Sequence, residues 1–275
     1  MSIRLIVNSD DYGRTAAVSQ GVRNAHLFGI VTSTTCMMNM PSVVEDIRTA
    51  MQDAPRLGLG VHLVLTSGQP LLPVAQVPSL VAPDGSFLKL DQFLARLGQI
   101  DPAQVMAEWQ AQIERFVATT GRAPTHLDSH HHSSYFTEPL FRGMLELARA
   151  YAAGIRLVIA QGDEDSMAGL PTEILTPIQE YAPRLLKEFK PKTPDVFHAS
   201  FYDEMATKAE LLRLINGLGP GTAEIMCHPG YADSILLAGS VYARQRESEL
   251  AVLTDPEVRQ AIEARGIQLI SFAQL

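Results

Sequence analysis

Apolar positions along the chain recur with two different periods. Short runs rich in aliphatic and β-branched residues predict strands over 4–8, 30–38, 58–65, 124–129, 154–159, 195–199, 223–227 and 267–271. Longer stretches with apolar residues three and four apart predict helices over 18–27, 42–50, 102–119, 138–153, 171–189, 204–218, 245–253 and 256–265. Strands alternating with amphipathic helices are the pattern of repeated βα units, so the expected fold is α/β with a mostly parallel sheet covered by helices. Gly29, Gly58, Gly121, Gly154 and Gly266 each stand at or before a strand. They are expected to end the preceding helices in the left-handed conformation. Segment 67–90 breaks the alternation with Pro70, Pro73, Pro78 and Pro83, the last opening a Pro83-Asp84-Gly85 turn. It predicts a long loop or lid. No repeat of fixed period or low-complexity tract interrupts the pattern, and one domain over residues 1–275 is expected.

Composition narrows the function more than the fold. With 46% hydrophobic and 19% charged residues the chain can bury a core. Its 22 Lys and Arg against 30 Asp and Glu give a net charge of -8, a field that repels polyphosphate, so no nucleic-acid partner is expected. The longest apolar stretches fall well short of the roughly 20 residues that span a bilayer, and no membrane partner is expected either. Cys36 and Cys227 are the two cysteines and have no CxxC partner, which predicts reduced thiols and a cytoplasmic location. The N-terminal MSIRLIVNSDD lacks the apolar core of a secretory signal.

The unusual polar residues stand where apolar strands end, the face that carries the active site in parallel sheets and barrels. Asn8-Ser9-Asp10-Asp11-Tyr12-Gly13 follows Leu5-Ile6-Val7. Adjacent carboxylates leaving a strand are expected to point to opposite sides, one toward a cation and the other toward a reacting group. His62 interrupts the apolar run 58–65. Thr125-His126-Leu127-Asp128-Ser129-His130-His131-His132 is the densest group of imidazoles in the chain. If extended, it puts His126, Asp128 and His130 on one side and His131 on the other, so that one of the histidines could be a metal ligand with an Asp as its orienting partner. Glu224-Ile225-Met226-Cys227-His228-Pro229-Gly230-Tyr231 holds a histidine on a stiff turn, which suits an acid or base. Cys227 lies within the apolar run and is expected to be inert. Together these motifs describe a metal centre with one Asp, two His and open positions, as hydrolytic sites have.

Five ordered segments, 7–13, 29–35, 60–66, 124–132 and 226–229, together resemble the YdjC-like carbohydrate deacetylases, the family that includes the chitooligosaccharide deacetylases, and 246–254 is similar to it as well. The resemblance implies a distorted (β/α) TIM-like barrel, one divalent cation (Mg2+ or Zn2+) bound by Asp11, His62 and His130, and hydrolysis of the acetamide of an N-acetylated sugar. It further implies Asp10 as general base, His228 as general acid, and Asp128 and Arg246 as orienting or substrate-contacting residues. Tyr12 stands where the family commonly has Phe. The expected partner is an N-acetylated saccharide, with a homodimer as the expected assembly if there is one. The alternatives are a metal-dependent hydrolase of a phosphoester or cyclic amide and a non-catalytic sugar- or metal-binding protein.

Overall fold

A computed structural model describes residues 2–159 and 172–275. Among these, eight strands form one sheet: β1 (Ile3–Tyr12), β2 (Ser33–Cys36), β3 (Gly58–Leu63), β4 (His126–Ser129), β5 (Gly154–Ile155), β6 (Val196–His198), β7 (Gly221–Cys227) and β8 (Gln268–Leu269). Every ladder between them is parallel. The spatial order is β5-β4-β3-β2-β1-β7-β6, with β8 also against β1. This is a distorted (β/α) barrel, and no ladder joins β5 to β6 among the described residues.

Helices α1 (Ala16–Leu27), α2 (Val43–Asp53), α3 (Leu90–Ala95), α4 (Pro102–Thr120), α5 (Glu138–Ala150), α6 (Thr172–Phe189), α7 (Lys208–Gly217), α8 (Ser234–Gly239), α9 (Gln245–Leu253) and α10 (Pro256–Ala264) return the chain between strands or close it. Helix α4 shows why the boundaries fall where they do. The Asp101 carboxylate accepts the N–H of Ala103, Pro102 sits in the first turn where no N–H is needed, and Gly121 ends the helix at φ 71. Its Val105, Trp109, Ile113 and Phe116 are all fully buried, each contributing about 1.5–3 kcal/mol of apolar burial.

Several elements are shorter than the sequence predicts. One edge of β1 is shared: β8 pairs with Arg4 and Leu5, and β2 pairs from Asn8 onward. Neither neighbour can run the full length, which trims the predicted strands at 30–38 and 267–271. The predicted helix 204–218 starts only at Lys208, capped by Thr207, after a 3-10 turn at Asp203–Met205. The predicted start of α6 at Pro171 lies outside the described residues. Of the five glycines only Gly121 and Gly266 have positive φ. Gly29 instead permits close packing, since a Cβ there would lie 2.4 Å from the Leu253 carbonyl. Segment 67–90 is a packed loop whose ends border the cavity at the strand ends. Val77, Leu80, Phe87 and Leu88 are buried, and the buried Glu108 carboxylate of α4 accepts the N–H groups of Leu71 and Leu72, each at 3.0 Å.

Candidate metal and catalytic site

The C-terminal ends of the strands open into a cavity of about 960 Å³ lined by Asp10, Asp11, His62, His130, His228 and Arg246, among others. Strand register explains how side chains so distant in sequence meet. Ser9 pairs with Cys227, so the next residues, Asp10 and His228, leave β1 and β7 side by side. On the other flank His62 pairs directly with Asp128. Gly60 keeps this flank tight, since a Cβ there would lie 2.6 Å from the ring of His126.

The two aspartates do not point to opposite sides, as strand alternation predicts. Between the pairs Ser9–Thr34 and Tyr12–Cys36, β1 carries one extra residue, and Asp11 takes φ 67. Such a bulge breaks the period of two and turns both carboxylates toward the same cavity. The histidine run behaves differently again. Strand β4 ends at Ser129, and His131 and His132 adopt left-handed φ values of 56 and 54 in the 3-10 turn that follows. His130 therefore stays at the barrel mouth while His131 swings to Thr66, 2.9 Å away.

Asp11, His62 and His130 offer three donor atoms within 4.8 Å of one another, all buried. Asp11 Oδ1 is 3.6 Å from His62 Nε2 and 3.3 Å from His130 Nδ1, and it is buried with no hydrogen-bond partner among the described residues. A carboxylate oxygen and two imidazole nitrogens converging on an unsatisfied point fit a divalent cation. Asp128 Oδ1 holds the other nitrogen of His62 at 2.6 Å, fixing which nitrogen faces the centre. Burial pulls His62 down, but Asp128 overrides it and raises the ring to about 9. Burial lowers His130 despite the neighbouring Asp11. The second oxygen of Asp11 accepts from Arg246 Nη2 at 2.5 Å, and Thr35 donates to Asp128 at 3.0 Å.

Beside this centre, Asp10 is gripped by Arg156 through two hydrogen bonds, of 2.7 and 2.6 Å. Burial pushes the Asp10 carboxyl up, yet the Arg156 charge and hydrogen bonds hold it well below the usual carboxylate range. His228 Nε2 lies 3.9 Å from Asp10 Oδ2. Burial pulls His228 down to about 4, against the attraction of Asp10. Its backbone N–H donates to Glu249 at 2.5 Å. Asp10 and His228 thus face each other across the edge of the cavity.

The predicted site residues Asp10, Asp11, His62, Asp128, His130, His228 and Arg246 all reach this region, whereas His126 does not join the donor set. It stacks on Phe272 at 3.8 Å and donates to Asn8 Oδ1 at 2.9 Å, inside the barrel. Three contributors, Arg156, Glu224 and Glu249, each buried, were given no role from the sequence. Glu224 accepts from Arg156 Nε at 2.8 Å, and burial raises its carboxyl to about 7. The signal was present in Gly154-Ile155-Arg156-Leu157-Val158 and Ala223-Glu224-Ile225-Met226, where a charge within an apolar strand must find a partner.

Known proteins resemble the chain along nearly its whole length. The family described as YdjC-like protein matches residues 4–264. A carbohydrate deacetylase of Geobacillus stearothermophilus is 40% identical over 272 residues, covering 98% of this chain and 96% of the relative. A chitooligosaccharide deacetylase of Yersinia pestis (strain Pestoides F) is 34% identical over 271 residues, covering 98% and 97%. A crystal structure from Enterococcus faecalis V583 superimposes with a TM-score of 0.85 at 35% identity, covering 100% of this chain and 99% of that one. The family 4 carbohydrate esterase of Streptomyces lividans, solved with acetate, shares the fold alone, with a TM-score of 0.51 at 11% identity over 97% and 91% of the two chains. A family match over residues 4–264, with relatives at 34–40% identity over nearly the full chain, means that the chain belongs to the YdjC-like family.

Proposed function

We propose that this protein is a metal-dependent carbohydrate deacetylase that hydrolyses the acetamide of an N-acetylated sugar or short oligosaccharide. One observation carries the reading: a buried Asp-His-His donor set stands beside a separate carboxylate and imidazole, Asp10 and His228, that face each other at 3.9 Å. Relatives named carbohydrate deacetylase and chitooligosaccharide deacetylase, at 34–40% identity over nearly the full chain, support the substrate class. Asp11, His62 and His130 would hold a single divalent cation. When bound, such a cation lowers the pKa of water and polarises a carbonyl. Free and buried, Cys36 and Cys227 favour a reducing compartment, and we place the protein in the cytoplasm. No helix among the described residues is long and apolar enough to cross a membrane.

The side chains divide the chemistry. Asp10, ionised at rest because Arg156 holds its proton affinity low, takes a proton as water attacks the acetyl carbon. His228, whose Nε2 lies 3.9 Å from Asp10 Oδ2, takes that proton and delivers it to the sugar nitrogen as the C–N bond breaks. Acetate and a free amine result. Arg246 holds the remote oxygen of Asp11, so that the other stays aimed at the centre. The test is Asp10→Asn, assayed by acetate release from N-acetylglucosamine oligosaccharides and by metal content. Turnover should fall at least a thousandfold with metal stoichiometry unchanged. A variant with normal turnover would remove the assignment of Asp10, and a wild-type enzyme inert toward every N-acetylated saccharide would remove the function.

A further inference from the structure

We propose that the stacked rings of Tyr202 and Tyr242 form the platform on which the substrate's sugar ring lies, with Tyr202 setting affinity for the saccharide. The inference rests on the deacetylase reading and adds to it a binding surface.

In hydrolysis of a sugar acetamide, the carbonyl oxygen must turn toward Asp11, His62 and His130, and the nitrogen toward His228. The pyranose hangs from that nitrogen, so it occupies the part of the cavity beyond His228. That part is lined by Tyr202, Met205, Val241 and Tyr242. The Tyr202 and Tyr242 ring centroids lie 5.3 and 5.7 Å from that of His228. The two tyrosines are nearly parallel, 4.4 Å apart at 8°. Tyr242 covers one face of Tyr202, yet Tyr202 remains 42% exposed, which leaves its other face to the cavity. Met205 and Val241 are 53% and 100% exposed beside it. Arg14, Lys89 and His131 line the same cavity. An aromatic and aliphatic surface joined to polar groups suits a ring that presents C–H bonds on its faces and hydroxyls at its rim.

The platform is also rigidly mounted. Asp203, next to Tyr202, is held at φ 51, and its N–H donates to the Tyr242 hydroxyl at 3.0 Å. That hydroxyl donates in turn to Glu249, whose other oxygen accepts the His228 N–H at 2.5 Å. Acid and sugar platform therefore hang on one buried carboxylate. A sugar laid on Tyr202 has its nitrogen presented to His228 with little left to order, and preorganisation of this kind improves binding without new contacts.

The experiment uses the metal-loaded enzyme with N-acetylglucosamine and its β-1,4-linked di- and trisaccharide. Tyr202→Ala should raise KM for the disaccharide at least tenfold with kcat within threefold of wild type, while Tyr202→Phe stays within twofold in both. In an Asp10→Asn, Tyr202→Trp protein the new indole should change its fluorescence when the disaccharide is added, against a background of the single buried Trp109. Unchanged KM in Tyr202→Ala together with a silent indole would overturn the platform. So would loss of kcat at constant KM, which would make Tyr202 a support for His228 only. A stable dimer in solution that Tyr202→Ala dissociates would assign the surface to a second copy instead. If the wild-type enzyme releases no acetate, the function reading fails, and the fluorescence titration still decides the platform.

Discussion

Arg156 is the residue whose removal tests the logic of the barrel interior most directly. It is 1% exposed and meets three carboxylates: Asp10 at 2.6 Å, Asp128 at 3.1 Å and Glu224 at 2.8 Å. Those charges raise the guanidinium's own affinity for its proton, although burial opposes it. Arg156→Met is close in volume but leaves three buried carboxylates without their cation. Breaking a buried pair costs about 3–5 kcal/mol. For 275 residues the unfolding entropy is about 0.6 kcal/mol per degree, so the melting midpoint should fall about 5–8 °C. The chemistry should change separately from stability. Asp10 loses the counter-charge that lowers it, its proton affinity rises, and the acid limb of kcat/KM against pH moves to higher pH. Arg156→Lys, which keeps the charge but loses the two-pronged grip on Asp10, should fall between Met and wild type on both scales. The assays are a calorimetric melt and an acetate-release pH profile. If Arg156→Met melts within 2 °C of wild type and its acid limb does not move, then the guanidinium neither holds the interior together nor tunes Asp10.

His62→Ala should abolish metal retention after dialysis, and Asp128→Asn should weaken metal affinity 10–100-fold through the lost 2.6 Å contact, measured by chelator competition; equal affinity in Asp128→Asn and wild type would mean that His62 orients itself. Because burial lowers His228 from 6.5 to about 4, the neutral ring contributes stability that is present above pH 6.5 and lost as pH falls through 4, up to about 3 kcal/mol. His228→Asn should therefore flatten the fall of the urea midpoint over that window, and an unchanged slope would contradict the assignment. Glu108→Ala strips the N–H groups of Leu71 and Leu72 of their acceptor, costing about 1–3 kcal/mol and accelerating hydrogen exchange at those amides; unaltered exchange would show that apolar packing alone holds the loop.

What the sequence made legible, and what it hid, follows from the range of the interactions. Period and turn residues are local, so the order of strands and helices, the long helix at α4 and its ends at Asp101 and Gly121 could be read directly. The lengths of β2 and β8 could not, because they depend on which strand occupies which part of one edge of β1. Helices α3 and α8 span six residues each and are too short to display a helical period. In the candidate site, Asp10, Asp11 and His228 were legible as polar residues closing an apolar run, His62 as one interrupting such a run, and His130 as part of the densest group of imidazoles. The bulge at Asp11 was not, for nothing local distinguishes it from a strand that simply continues. Strand alternation accordingly gave the wrong side for one carboxylate.

Arg156 shows most clearly why the interior escaped. Asp10, His62 and Asp128 form a second group of buried donor atoms within 4.8 Å of one another, next to the first. Taken as donor atoms alone, they would suit a second cation, and two adjacent centres would favour the phosphoester alternative. Arg156 Nη1 lies 2.7 Å from Asp10 and 3.1 Å from Asp128, so a fixed guanidinium already neutralises that group. On the proposed mechanism, a permanent positive charge at this point keeps Asp10 ionised and available as a base, whereas a second metal ion would engage it as a ligand. The barrel interior therefore suits the proposed chemistry, with one metal and one unligated carboxylate, better than a two-metal site, and the guanidinium that occupies the second position comes from β5's end, 146 positions from the aspartate it grips.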